Sequence, residues 1–117
     1  MSIRINNQIY NNIINYMIEC IEIYIETYNE FLLLFSNKQK LYSEIFVFEN
    51  DLYNYYNNSN YINKNNFFKV ILNNIIYMRK NEINKINNYM EKYLIILNNI
   101  YLEFIKLNQK KLFIENN

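Results

Sequence analysis

The sequence predicts an all-α protein: a long antiparallel helical hairpin, coiled-coil-like, with a three- or four-helix bundle as the bent alternative. Three observations carry that expectation. Apolar residues recur at alternating steps of four and three through both halves of the chain, which keeps one seam facing a neighbouring helix along its whole length. Strand-type alternation is sustained nowhere. The 117 residues include no glycine and no proline, the two residues that most readily end a helix.

The first arm spans residues 8–56. Steps of four and three from Tyr10 give Ile14, Met17, Ile21, Tyr24, Tyr28, Phe31, Phe35, Lys38, Tyr42, Ile45, Glu49, Leu52 and Tyr56, with only Lys38 and Glu49 failing the pattern. Ile13, Ile18, Cys20, Ile25, Leu32 and Leu34 flank this seam, so the apolar face is wider than a dimeric coil requires. A wide face calls for more than one neighbour.

A reversal loop is expected at 57–66, where the run NNSNYINKNN interrupts the heptads. Asparagine is the residue this composition retains for left-handed turn conformations and for helix caps, and Asn65 or Asn66 is placed to cap a helix beginning at Phe67. Asn57-Asn58-Ser59 also fits a glycosylation sequon, a match that so asparagine-rich a chain produces by chance.

The second arm spans 67–115. Its series from Leu72 runs Ile76, Arg79, Ile83, Ile86, Met90, Tyr93, Leu97, Ile100, Phe104, Leu107, Lys111 and Ile114. Each arm would extend about 75 Å at 1.5 Å per residue. Two polar segments, 36–40 and 79–85, lie nearly equidistant from the loop, and Ser36 with Gln39 has the form of a capping box. If both segments bend, the chain becomes four helices over 8–35, 39–57, 66–80 and 83–114; with no glycine or proline to force a stop, the hairpin is favoured, pinched at a polar layer of Lys38 and Arg79. The whole chain, 1–117, is read as a single helical domain.

Composition restricts what can be inferred from residue type. Asparagine supplies 26 residues and isoleucine 21, while alanine, histidine and tryptophan are absent, the signature of an A/T-rich genome rather than of an asparagine- or tyrosine-based activity. Net charge is +1, but residues 1–60 carry three basic and seven acidic groups and residues 61–117 carry nine basic and four acidic. An acidic arm lying along a basic one in the same molecule accounts for this. The N-terminus lacks the layout of a secretory signal, and the longest uncharged stretches, near 5–18 and 93–102, fall short of a membrane span. The expectation is a soluble, intracellular protein with no membrane span.

The residues exclude most chemistry. Without histidine there is no Ser-His-Asp triad and no carboxylate–histidine metal bundle; without glycine there is no phosphate-cradling loop; one cysteine, Cys20, forms no internal disulfide and no zinc site. Glu19, Glu22, Glu26 and Glu30 line one helix face opposite the seam and read as a solvated stripe or a docking strip for a basic partner. No catalytic, cofactor-binding or metal-binding residues are assigned, and no cofactor or small-molecule ligand is expected. Lys64, Lys69, Arg79, Lys80, Lys85, Lys92, Lys106, Lys110 and Lys111 lie among aromatics, the raw material of single-strand nucleic-acid binding, but they spread around the helix and alternate with acids. Leu41 and Tyr42 in KLYSE resemble the first two positions of the Leu-Tyr-Arg motif of small helical mitochondrial assembly factors; Ser43 replaces the arginine that defines it, so no function is carried over.

The functional expectation is a non-enzymatic helical protein-protein interaction, scaffold or assembly subunit, acting on a protein partner or as a homo-oligomer. A nucleic-acid-binding accessory protein and a small helical inhibitor or immunity protein are the alternatives.

Overall fold

A computed structural model of the chain describes residues 3–57 and 66–116, with side chains at 7–57 and 67–116. The protein is all-α with two long helices: α1, Ile3–Asn57, of 55 residues, and α2, Asn66–Glu115, of 50 residues. Among the described residues there is no strand and no left-handed backbone. The expected reversal at 57–66 falls almost wholly outside the described residues, as do Lys64, Asn65, the Asn66 side chain and the sequon at Asn58 and Ser59.

Neither polar segment breaks a helix. α1 continues through 36–40 and α2 through 79–85, which corrects the four-helix alternative. The supposed capping box lies mid-helix, and Ser43 Oγ donates instead to the Gln39 carbonyl at 3.1 Å, the back-bonding a helical serine makes to the residue four before it. Once nucleated, a helix propagates through polar residues cheaply unless a breaker stops it, and none is present. At the end of α1, Asn57 Nδ2 donates to the Tyr53 carbonyl at 2.9 Å, and at the end of α2 the Asn116 amide donates to the Leu112 carbonyl at 3.0 Å. The second satisfies one of the four carbonyls that the end of α2 would leave unpaired; the first adds a side-chain donor to the last turn of α1.

Contacts divide the chain into two compact units, the first comprising Met1–Leu32 with Glu91–Asn117 and the second Leu33–Met90. In the first, Ile13, Met17 and Leu107 are buried, with Ile14, Cys20, Phe104 and Ile114 packed against them. In the second, Ile45, Ile76 and Ile83 are buried, supported by Leu41, Phe48 and Leu52. Within each unit the segments run antiparallel: Tyr10 meets Glu115 and Cys20 meets Phe104 in one, while Glu49 meets Lys80 and Tyr55 meets Phe68 in the other. Fully burying a Leu or Ile contributes about 1.5–3 kcal/mol, and that burial rather than helix propensity stabilises a chain this rich in isoleucine and asparagine.

The seam of α2 is as expected: every position of the series from Leu72 to Ile114 is buried or half-buried. The seam of α1 is not. It follows Tyr10, Ile13, Met17, Cys20, Tyr24, Thr27, Phe31, Leu34, Lys38, Leu41, Ile45, Phe48, Leu52 and Tyr55, all buried or half-buried except Tyr24. The step of three comes first, so seven of the expected positions hold and the other seven move back by one residue. Ile21, Tyr28, Phe35, Tyr42 and Tyr56 are thereby exposed, and Thr27 and Phe48 take the interior places expected for Tyr28 and Glu49.

Lys38 and Arg79 do not form a layer together. Lys38 Nζ lies 5.9 Å from the centre of the Tyr42 ring. Arg79 Nε sits 3.0 Å from Glu44 Oε2 and its Nη1 sits 3.3 Å from Glu82 Oε1. The Nε contact is an ion pair without a hydrogen bond, since its N–H finds no aligned acceptor.

Candidate interaction surface

In each unit two helical segments share one interior interface, and the described residues outside it are largely exposed. No described side chain is fully buried, and many large apolar side chains remain exposed. The open apolar surface nearest the seam lies on its two flanks.

In the first unit one flank opens into a groove of about 410 Å³ lined by Tyr16, Glu19, Cys20, Ile23, Glu103 and Lys110 among others. An adjoining groove of about 480 Å³ is lined by Ile9, Ile13, Lys106, Gln109, Phe113 and Ile114. The opposite flank is marked by a smaller cavity, about 140 Å³, between Cys20, Ile21, Tyr24, Tyr101 and Phe104. In the second unit a groove of about 280 Å³ is polar, with Asn37, Lys40, Glu44, Arg79 and Glu82 on its walls.

The candidate residues from the sequence are placed as follows. Glu19, Glu22, Glu26 and Glu30 are all exposed, away from the seam. Among the described residues no three His, Cys, Asp or Glu side chains group closely enough to hold a metal ion. Cys20 is half-buried at the seam, and burial, followed by the nearby Glu103 and Glu19 carboxylates, pushes its thiol pKa up, which disfavours the nucleophilic thiolate.

Several of the basic residues are engaged within the chain. Arg79 pairs with Glu44 and Glu82, Lys80 with Glu49 at 3.3 Å, and Lys111 with Glu115 at 3.1 Å. Lys69 Nζ stands 4.9 Å from the centre of the Tyr56 ring, and its contact with the Tyr56 hydroxyl raises its pKa, favouring the charged form. These pairs occupy cations that a phosphate backbone would need.

The feature that the seam reading missed is a second stripe on α1, set one position round from the seam. Ile18, Ile21, Ile25, Tyr28 and Leu32 are each 43–53% exposed, at steps of three and four. The signal was present in the sequence, merged with the seam as a single wide face. Among the described residues no helix is both long and apolar enough to cross a membrane. Comparison of the chain with protein families, with curated proteins and with solved structures finds no match.

Proposed function

We propose that the protein is a non-enzymatic helical interaction module, an antiparallel coiled-coil hairpin that acts as a scaffold or assembly subunit by presenting helix surface to another protein chain. The observation that carries this reading is the exposed heptad stripe of Ile18, Ile21, Ile25, Tyr28 and Leu32, because a regular apolar stripe on a helix is the pattern that packs on a further helix. The lack of histidine and glycine, the raised pKa of the Cys20 thiol and the exposure of Glu19, Glu22, Glu26 and Glu30 support a non-catalytic role.

Binding of an apolar fluorescent dye such as bis-ANS tests the reading. The folded protein is expected to bind dye, and Ile21→Lys with Ile25→Lys is expected to weaken that binding while helicity is retained. Absence of dye binding by folded wild type that also sediments as a compact monomer contradicts it. Engagement of Arg79, Lys80 and Lys111 by carboxylates argues against the nucleic-acid alternative, which titration with single-stranded and duplex nucleic acid at low and moderate salt addresses directly.

A further inference from the structure

The two units use their charges differently. In the second unit ion pairs cross between the helices and close within the chain, Glu44 with Arg79 and Glu49 with Lys80. In the first unit Glu19, Glu26 and Glu30 on α1, and Lys106 and Lys110 on α2, enter no ion pair among the described residues. These groups share one flank. Glu19 and Lys110 line its groove together with Tyr16, Ile23 and Glu103, and Lys106 lines the adjoining groove. Heptad repetition carries the same flank on to Glu26 and Glu30 along α1, and back to Ile96 and Lys92 along α2. The flank is therefore apolar along its middle, through Tyr16, Ile23 and Ile96, with an acidic edge on α1 and a basic edge on α2. Glu103 is the exception on the basic side, and Lys106 stands one turn from it on the same helix.

We propose that this charged flank, marked by Glu19, Ile23 and Lys106, is an isologous dimer interface on which the first unit of a second copy of this chain packs face to face. α1 of each copy lies over α2 of the other. The inference adds a self-association surface to the interaction reading above, which rests on the opposite stripe of α1 and has its own dye-binding test.

Self-complementarity of charge names the occupant. A partner of one sign would match a single edge, whereas the same face turned about a two-fold axis parallel to the helices sets basic edge on acidic edge and acidic on basic. That rotation keeps every residue at its own height along the unit. Met17 packs with Leu107, and Cys20 lies against Phe104, so Glu19 and Lys106 share a height and meet twice across the dimer. Further along, Glu30 comes within about one turn of Lys92 of the other copy. The alternative two-fold, perpendicular to the helices, sets α1 on α1 and brings Glu19, Glu26 and Glu30 against their own counterparts.

Sedimentation equilibrium of the full chain, from sub-micromolar to hundred-micromolar loading and at low and moderate salt, tests the proposal. Wild type is expected to dimerise, with a dissociation constant that rises with salt. Ile23→Lys is expected to raise that constant on the order of 100-fold, since the two-fold inserts the lysine twice into the apolar middle. Ile25→Lys is the matched control: Ile25 is 53% exposed and Ile23 51%, but Ile25 lies on the stripe of Ile18 and Ile21. It should leave dimerisation within about threefold of wild type, and circular dichroism should show both variants fully helical. Equal weakening by the two variants overturns the proposal. A monomer at every loading overturns it too; if that monomer binds bis-ANS the interaction reading stands, and if it binds none both fall. Charge reversal reads the arrangement. Glu19→Lys and Lys106→Glu should each weaken the dimer about tenfold, and the chain carrying both should dimerise more tightly than either single variant. Tightening by Glu19→Lys alone, which α1 on α1 would produce, or a double variant no tighter than the single ones, overturns the α1-on-α2 interface.

Discussion

Tyr10 Oη donates a 2.9 Å hydrogen bond to Glu115 Oε1, joining the start of α1 to the end of α2 across 105 residues of sequence. Lys111 Nζ approaches the same carboxylate oxygen at 3.1 Å. The contacts of Lys111 and then Tyr10 lower the pKa of Glu115, and the bond to Glu115 raises that of Tyr10. A lowered carboxylate contributes stability above its unfolded pKa and loses it as pH falls through the folded value. A raised phenol contributes below its unfolded pKa and loses it as pH rises through the folded value. The junction is therefore complete between about pH 4.3 and pH 10, the ordinary values of the two groups.

Replacing Tyr10 with phenylalanine removes one donor and leaves Lys111 in place. The Glu115 carboxyl should titrate at a higher pH than in wild type without losing the Lys111 contribution, as followed by carbon-13 NMR of the side-chain carboxyl. An unchanged titration would show that the bond is not formed in solution.

Leu97 and Ile21 separate the observed seam from the expected one. Leu97 is 6% exposed and Ile21 is 45% exposed. Leu97→Asp buries an unpaired carboxylate and should cost about 3–5 kcal/mol, whereas Ile21→Asp should cost about 1 kcal/mol or less in dilute protein. Thermal or urea unfolding of the two variants checks this, and equal losses would contradict the register.

Thr27 occupies an interior position that Tyr28 was expected to fill, at 9% exposure. Thr27→Val exchanges a buried hydroxyl for a methyl on a seam that is otherwise largely apolar. It should stabilise the protein by about 0.5–1 kcal/mol in urea unfolding.

Arg79 pairs with Glu44 at a half-exposed site, with both side chains 35% exposed. Ion pairs so placed contribute about 0–1 kcal/mol because solvent screens them, and methionine can fill the same stretch of seam. Arg79→Met should change unfolding free energy by no more than about 1 kcal/mol in either direction. A loss of several kcal/mol would mean the guanidinium holds the second unit together.

The long helices were legible because heptad spacing persists wherever a helix keeps one face against a neighbour, and α2 obeyed it at each seam position from Leu72 to Ile114. α1 was misread by half a register because it offers two apolar choices at most alternate steps: Ile13 or Ile14, Cys20 or Ile21, Leu34 or Phe35, Leu41 or Tyr42. Taking Phe48 in place of Glu49 was the discriminating clue, since it leaves Lys38 as the only charged member of the seam. The pairing of Arg79 with Glu44 was not readable, because it depends on how two distant segments align in depth. The open flank was visible as excess width, but only the choice between neighbouring apolar residues shows which of them α2 covers.

The central claim is that α1 has two apolar faces, one closed by α2 and one open to a further chain. Thiol-labelling rates for single-cysteine variants at positions 21, 23, 25 and 27, made in a Cys20→Ser background, read both faces in one experiment. In dilute protein Thr27→Cys should react far more slowly than the other three, all of which should react at the rate of open thiols. Rapid labelling at position 27, or slow labelling at 21 and 25, would contradict the account.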